Sequence, residues 1–426
     1  MELILGHSVI DRHFIDYRTG DPAKALAAWR EGETGGRLLL VDFEFISWWL
    51  EGTQSVALTA IYRIDNEVLL GAVTDADLRA TESSAEAQLT AWGEEHDLYV
   101  ATAGSVLPLL PTCIPKPWGQ EIWFTGVEER GVCAFGSAGR QVPIPWLQAV
   151  MPDGCGAPGE PLVLLKILDP SAQEVVGDLY FEMHEEKREV YVVTHVDREA
   201  WPDGVGAIRY GFAAEKIAAA GNEAAFRREY LDAVQRYEAV RRQIDAGADS
   251  LELHQSEARL RADMDAFTHL RPLRTGDVVV IPLRMPHSLQ HGVRTIEFQT
   301  PVYERKILSF AQRVLTQDHW DTSEALDVMC LQPPEQGIFE VLASPAGVEI
   351  ERIVDFADFE VRRVRVETGA QCDLPAQARY SLVMVVEGRL AVDGMTFGPE
   401  EAFLLPAGRR LSPQVGPLIL LQALPR

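Results

Sequence analysis

Two acids and a histidine stand close together at the start of an apolar segment near the middle of the chain. The stretch FEMHEEKREVYVVTH, residues 181–195, places Glu182 and His184 two residues apart, and Glu189 directly precedes the apolar run 190–193. On a β-strand, residues two apart project from the same face with Cβ atoms roughly 7 Å apart, so Glu182 and His184 can approach one ion from one side. Glu189 can join them from the start of the next strand if a turn falls at EEKR.

A fourth metal-capable side chain, His287, follows the apolar segment VVVIPLRMP. Two carboxylates and two imidazoles suit a divalent metal of the zinc, manganese or iron kind. On a continuous strand His195 lies roughly 20 Å from Glu189, so it cannot share that ion, and an extended strand separates His291 from His287 in the same way. The spacing also permits a second interpretation, in which HEEKRE is a solvated hairpin tip and His287 a surface histidine.

The elements that must position these residues follow the pattern of a β protein with a helical insert. From residue 116 to about 215, short strands alternate with Pro and Gly clusters, which is typical of an all-β sandwich or barrel. The apolar residues then fall at helical spacing, which predicts an insert at about 213–270. These residues are Phe226, Tyr230, Val234, Tyr237 and Ile244, followed by Leu260, Met264 and Phe267.

The two ends of the chain differ in pattern. Residues 1–112 contain two segments typical of buried strands (36–52 and 55–74) and a short helix opened by a serine cap (83–96), which predicts an α/β region of uncertain fold and unknown role. Residues 337–426 show a strand–turn–strand rhythm typical of a jelly roll. GDVVVIPLRMPHS and EEAFLLPAGRRLS share one shape, which indicates two similar barrels. We expect three domains, with boundaries at 112/113 and 336/337.

Composition limits the choice of partners. The 426 residues carry 64 acids against 39 Lys and Arg, a net charge of −25. That charge repels nucleic acid and anionic membranes, which favours a small-molecule partner, and an anionic substrate would need a local basic pocket. Five scattered cysteines argue against a disulfide framework and for the cytoplasm. No signal peptide or membrane span is evident, and we expect a monomer or homodimer.

Five segments, in order, resemble those of the type I mannose-6-phosphate isomerases, which are zinc enzymes of the cupin superfamily. The segments are KPWG (116–119), PLVLLKILD (161–169), FEMHEEKREVYVV (181–193), GDVVVIPLRMPHSLQHG (276–292) and IEFQTPVYER (296–305). The resemblance covers roughly residues 115–426. It implies two cupin-type jelly rolls, with a metal in the domain at 113–336 and none in the C-terminal barrel.

The resemblance also implies a role for individual residues. His184, Glu189 and His287 match metal ligands, and Glu182 stands where the family has glutamine. Lys166 and Lys187 match two pocket lysines. Arg305 matches the arginine on the phosphate side, and Glu297 the acid on the strand after the last ligand.

The chain departs from the family at several positions. Glu182 adds a negative charge beside the metal, which should strengthen metal binding and weaken its Lewis acidity. The interval from Glu297 to Arg305 is shorter than in the family, and Thr300-Pro301 replaces a Ser-Asp element. The loop between Glu182 and Glu189 is also shorter. We therefore expect a retained metal site beside a remodelled substrate pocket.

The function implied is interconversion of an aldose and a ketose phosphate, mannose 6-phosphate and fructose 6-phosphate or a close relative. Zinc, or another divalent metal such as manganese, would be held by Glu182, His184, Glu189 and His287 and would favour a cis-enediol intermediate. Lys187 or Glu297 would move the proton, and Arg305 with Lys166 would hold the phosphate. The alternative is a metal-binding cupin that binds a sugar-like ligand without isomerising it. A metal-free structural cupin is a third interpretation.

Overall fold

The computed structural model describes residues 10–15, 21–32, 34–52, 54–79, 84–335, 337–412 and 417–426. Residues 1–9, part of the segment searched for a signal peptide, lie outside these ranges. The described chain is mainly β, so the predicted fold class is confirmed. None of its helices is both long and apolar enough to cross a membrane.

Contacts divide the chain into two compact units. The first comprises Met1–Thr112, Trp123–Val163 and Glu340–Arg426, and the second comprises Cys113–Ile122 and Leu164–Phe339. All residues of the candidate site belong to the second unit. The three-domain division expected from the sequence stays a prediction.

The second unit is built on two sheets. The six-stranded sheet consists, in spatial order, of Val278–Ile281 (β18), Glu189–Val196 (β15), Val293–Gln299 (β20), Leu164–Pro170 (β13), Gly119–Trp123 (β8) and Thr112–Lys116 (β7). The five-stranded sheet consists of Thr268–Leu273 (β17), Gly206–Phe212 (β16), His287–Leu289 (β19), Phe181–Met183 (β14) and Lys306–Ser309 (β21). The central strands β15, β20 and β13 are rich in Val, Ile and Leu and nearly continuously buried, as expected where both faces of a strand are covered.

Three of the helices described in the second unit lie where the sequence predicts its insert. They are Ala214–Ala219 (α5), Glu223–Asp245 (α6) and Leu251–Asp265 (α7), with a later turn of helix at Thr322–Ala325 (α8). The side chain of Asn222 caps α6 by accepting a hydrogen bond from the Ala225 N–H at 2.9 Å. Phe226, Tyr230 and Tyr237 are fully buried in the core shared with the strands, which confirms the predicted apolar face of α6.

The N-terminal part of the first unit is an α/β region. Its sheet contains Ile10–Ile15 (β1), Leu38–Ile46 (β2), Ser55–Asp65 (β3), Val68–Thr74 (β4) and Ala101–Thr102 (β5), with β1 parallel to β2 and the other pairs antiparallel. The helices of this unit are Pro22–Arg30 (α1), Ala85–Glu95 (α2), Ile144–Val150 (α3) and Pro152–Cys155 (α4). Ser84 caps α2, which confirms the predicted serine cap.

The rest of the first unit is a nine-stranded antiparallel sheet. In spatial order its strands are Arg140–Pro143 (β12), Ala134–Ser137 (β11), Leu107–Leu110 (β6), Ala402–Leu405 (β28), Ser381–Glu387 (β25), Leu418–Pro425 (β29), Phe359–Val366 (β24), Val348–Asp355 (β23) and Glu340–Ala343 (β22). Two small ribbons pair Val127–Glu128 (β9) with Gly131–Val132 (β10), and Leu390–Val392 (β26) with Met395–Phe397 (β27). The core of the nine-stranded sheet contains the fully buried side chains of Val364, Val383, Phe403 and Leu420.

Candidate metal centre

Three side chains of the second unit form a compact group of metal-capable atoms. Glu182 on β14 lies directly opposite His287 on β19, because the two strands pair in that register. His184 follows β14 on the same side. One ligand atom from each of the three residues lies within 4.8 Å of the other two.

Both imidazoles are oriented by backbone carbonyl groups. Nδ1 of His184 lies 2.9 Å from the carbonyl oxygen of Glu304, and Nδ1 of His287 lies 3.0 Å from that of Met285. In the neutral tautomer Nδ1–H donates to the carbonyl, which leaves the lone pair of Nε2 directed at the group. A metal-binding histidine usually makes such a hydrogen bond through the ring nitrogen that does not contact the metal.

The group leaves buried polar atoms without partners, which fits a cation. His184 and His287 are 1% and 2% exposed. Nε2 of His184 and Oε2 of Glu182 are buried and have no hydrogen-bond partner among the described residues. Such atoms are costly in a protein interior unless they are hydrogen-bonded or coordinated to a metal. The donor set, two imidazoles and a carboxylate, suits a divalent metal of the zinc, manganese or iron kind.

Glu189, the first residue of β15, lies between the two histidines. Its Oε1 is 3.5 Å from Nε2 of His184 and its Oε2 is 3.0 Å from Nε2 of His287. The ammonium of Lys187 lies 2.6 Å from Oε1, and the hydroxyl of Tyr191 donates to Oε2 at 2.8 Å. Glu189 can therefore supply a fourth ligand, but each of its oxygens already has a protein donor.

The charges around Glu189 set the protonation of the group. Burial would raise the pKa of Glu189, but the Lys187 ammonium and the two histidines outweigh it and hold that pKa well below its usual range. Burial, with the charge of Lys187, holds the pKa of His184 well below its usual value, so this imidazole is neutral as a ligand must be. Burial acts to lower the pKa of His287, but the hydrogen bond and the charge of Glu189 raise it.

A row of alternating charges crosses the six-stranded sheet beside this group. Lys166 on β13 pairs in register with Glu297 on β20, and its Nζ lies 3.3 Å from Oε2 of Glu297 and 3.9 Å from Oε2 of Glu121. Lys116 extends the row, with Nζ 3.1 Å from Oε1 of Glu121. On the other side, Glu297 pairs in register with Tyr191 of β15. Strand pairing thus brings the row to the residues that contact Glu189.

Glu297 and Lys166 respond differently to burial in this row. Glu297 is 1% exposed. Burial, reinforced by the negative charge of Glu189, raises the pKa of Glu297 to about 8 against the opposing charge of Lys166. Burial alone would lower the pKa of Lys166, but Glu121 and Glu297 outweigh it and keep the ammonium charged. Glu297 can therefore take up or release a proton near neutral pH, whereas Lys166 cannot.

Arg305 directly follows Glu304, whose carbonyl contacts His184, but its guanidinium has other contacts. The guanidinium of Arg305 lies over the ring of Tyr180, 4.7 Å from its centroid, and donates to Oγ1 of Thr316 at 2.8 Å. His195 is exposed on β15. His291 binds Asp178, with Nδ1 2.7 Å from Oδ1.

Sequence reasoning missed Tyr191, Glu121 and Lys116. Tyr191 stands two residues after Glu189 on one strand, so the period of two that grouped Glu182 with His184 could have found it. Its hydroxyl also lies 3.2 Å from Nε2 of His287. Glu121 and Lys116 lie on the consecutive strands β8 and β7 and reach the row because β8 neighbours β13, a pairing for which the sequence has no local signal.

Comparison with known proteins shows the fold. Mannose 6-phosphate isomerase from Bacillus subtilis is 15% identical, with a TM-score of 0.56 over 75% of this chain and 99% of that one. A variant of phosphomannose isomerase from Salmonella typhimurium is 12% identical, with a TM-score of 0.55 over 75% and 99%. A zinc-bound mannose 6-phosphate isomerase is 12% identical, with a TM-score of 0.56 over 76% and 100%. No family model and no curated protein sequence matches the chain. At these identities the likeness establishes a shared fold.

Proposed function

We propose that this protein is a metal-dependent aldose–ketose isomerase that acts on a sugar phosphate, mannose 6-phosphate to fructose 6-phosphate or a close relative. The observation that carries the proposal is that two buried ligand atoms, Nε2 of His184 and Oε2 of Glu182, have no hydrogen-bond partner among the described residues, within a group completed by His287. The structural likeness to mannose 6-phosphate isomerases, some with bound zinc, supports the reaction class.

Glu182, His184 and His287 would hold the ion, with Glu189 as a fourth ligand. Zinc is the proposed metal, and manganese is an alternative for the same donor set. A divalent ion in this position would stabilise negative charge on the sugar oxygens, which favours a cis-enediol intermediate. The carbonyl groups of Glu304 and Met285 would keep both imidazoles in the tautomer that presents Nε2.

The proton that moves between the two sugar carbons needs a group that can both accept and return it. We assign this role to Glu297, because a carboxyl with a pKa of about 8 is divided between its acid and base forms near neutral pH. Its burial would limit exchange of the proton with water. Lys187 is the second candidate for proton transfer, although its ammonium lies 2.6 Å from Glu189.

Arg305, helped by Lys166, is proposed to hold the phosphate, since a guanidinium fork matches phosphate geometry. In the structure Arg305 binds Thr316 and stacks on Tyr180, so it would have to exchange these contacts for the substrate. This arrangement favours the alternative function, a metal-binding cupin that binds a sugar-like ligand without isomerising it. The five cysteines are free thiols, which supports a reducing compartment such as the cytoplasm.

Two measurements on the purified protein test the proposal. Metal analysis should find one divalent ion per chain, and the zinc-supplemented protein should interconvert mannose 6-phosphate and fructose 6-phosphate. The variant E297Q should retain the metal and lose turnover, because glutamine cannot carry the proton. Stoichiometric metal with no interconversion of either sugar phosphate would favour the binding protein instead.

A further inference from the structure

The turn that leads into His287 holds an arginine in a left-handed backbone conformation. In the turn Pro282–Met285, the Met285 N–H donates to the Pro282 carbonyl at 3.3 Å, and Arg284 has φ of 65°. A positive φ at the third position of a turn is normally supplied by glycine, because the Cβ of any other L-residue is crowded there. A bulky residue held in this conformation calls for an explanation in function.

The first unit contains the same turn with glycine. In Pro406–Arg409, the Arg409 N–H donates to the Pro406 carbonyl at 3.3 Å, and Gly408 has φ of 75°. The Gly408 N–H donates to the Gln377 carbonyl at 2.8 Å, as the Arg284 N–H donates to the His184 carbonyl at 2.6 Å. Glycine thus satisfies every backbone requirement of this turn. The backbone of the turn therefore gives no reason for an arginine at position 284, which leaves its side chain as the feature to explain.

Arg284 adjoins both histidines of the metal centre. Its N–H binds the carbonyl of His184, and it precedes His287 by three residues. The residue is exposed, and its guanidinium makes no hydrogen bond, ion pair or ring contact with the part of the chain that the structure describes.

The other basic residues around the centre already have partners. Lys187 pairs with Glu189, and Lys166 lies between Glu121 and Glu297. Lys306 pairs with Glu324. Arg305 binds Thr316. Among the described residues, Arg284 is therefore a basic residue whose backbone adjoins the centre and whose side chain can bind an anion without breaking another contact.

We propose that Arg284 binds the phosphate group of the sugar substrate and sets the preference for charged over neutral sugars. The proposal rests on the proposed function and extends it to a residue outside the metal centre. A guanidinium offers paired N–H donors that match two phosphate oxygens. An exposed position beside buried ligands also suits the charged end of a substrate whose reacting carbons must lie deeper, at the metal. Because the whole chain carries −25 charges, attraction for an anion must be local.

The variant R284G separates a role in binding from a role in the backbone. Glycine takes a positive φ without steric cost, so R284G should keep its metal content and show an unchanged or higher melting temperature. Its dissociation constant for fructose 6-phosphate, measured by calorimetry on zinc-supplemented protein, should rise about 10- to 100-fold. Binding of neutral fructose should not change. R284K should retain part of the affinity, and R228A, at an exposed arginine of α6, should retain all of it.

Three results would overturn the proposal. One is fructose 6-phosphate binding by R284G as tight as by the wild type. Another is a fall in its metal content or melting temperature, which would make the arginine structural. The third is wild-type protein that binds neither fructose 6-phosphate nor inorganic phosphate. If fructose 6-phosphate binding depends on Arg284 but the sugar phosphates are not interconverted, the role of Arg284 stands and the isomerase is refuted. If R284G interconverts the sugar phosphates as well as the wild type, the isomerase stands and the role of Arg284 is refuted.

Discussion

A carboxylate at position 182 would give the proposed metal centre a negative charge that a neutral ligand would not. Glu182 faces His287 across β14 and β19, and its buried Oε2 has no hydrogen-bond partner within the described ranges of the chain. An anionic ligand holds a cation more tightly. Because it also neutralises part of the positive charge, the cation withdraws less electron density from the substrate. Affinity for the metal and its power as a Lewis acid should therefore change in opposite directions when this residue is altered.

The first prediction concerns metal content. H184A and H287A should each lose the ion, because the donors that remain hold it poorly. Metal analysis after dialysis against a weak chelator is the measurement, and H195A, at an exposed histidine of the same unit, is the control. Stoichiometric metal in the double variant of His184 and His287 would rule out the site.

The second prediction concerns Glu182. E182Q should hold the metal more weakly and turn over substrate equally fast or faster, since a neutral amide leaves more positive charge on the ion. Chelator competition gives the affinity, and the isomerase assay at saturating metal gives the rate. Tighter metal binding by E182Q would show that Glu182 does not contact the ion.

The third prediction concerns pH and Glu297. An unfolded glutamate ionises near pH 4.3, whereas the pKa of Glu297 in the fold is about 8. Between these values the folded state binds one more proton than the unfolded state, so this residue makes stability fall as pH rises. The difference in free energy of unfolding between metal-free wild type and metal-free E297Q should shift against the wild type as pH rises from about 5 to about 8. Above about pH 8 this difference should stay constant. Urea unfolding across this range is the test, and a constant difference would contradict it.

At the scale of elements, the turn Pro406–Arg409 leads to a leucine where the turn Pro282–Met285 leads to His287. Leu411 follows Pro406 by five residues, as His287 follows Pro282, and it is 2% exposed. A leucine offers no ligand at this position.

The fourth prediction is that residues 345–426 bind no metal. The double variant in which alanine replaces His184 and His287 should therefore contain no bound metal. An anomalous scattering peak at the metal edge among residues 345–426 would contradict this.

Elements governed by local pattern were predictable, and those governed by distant pairing were not. The strand period of two residues placed Glu182 and His184 on one side, and the two do share the candidate site. The sequence also placed Glu189 at the start of the next strand, after a turn at EEKR, and β15 begins at Glu189. The helical spacing identified the buried face of α6. Lys166, Glu297 and Tyr191 share a row because β13, β20 and β15 are neighbours. Residue spacing does not encode that order.

At the scale of the whole molecule, charge restricts how an anionic substrate can bind. A net charge of −25 repels a sugar phosphate at long range, and salt reduces that repulsion. Each basic contact near the metal should therefore have a measurable effect. Lys166, Lys187 and Lys306 pair with acids, so few basic side chains near the centre are available to contact the phosphate.

The fifth prediction concerns Arg305. If this residue binds phosphate, R305A should lower kcat/KM for the sugar phosphate by about 10- to 100-fold, the effect of one charged hydrogen bond. A sugar without phosphate should lose little, and R228A again serves as the control. Turnover equal to wild type would show that Arg305 remains on Thr316 and Tyr180 during the reaction.

The sequence separation of the site residues has a consequence for how the protein folds. His184 and Glu304 are 120 residues apart, and Tyr191 and His287 are 96 apart. Contacts over such distances form late, because the chain must close long loops before they stabilise it. The residues of the proposed metal centre therefore come together only after β14, β15, β19 and β20 have paired. A metal held there would bind a chain whose strands have already paired, so the ion taken up would depend on which divalent metal is available at that stage.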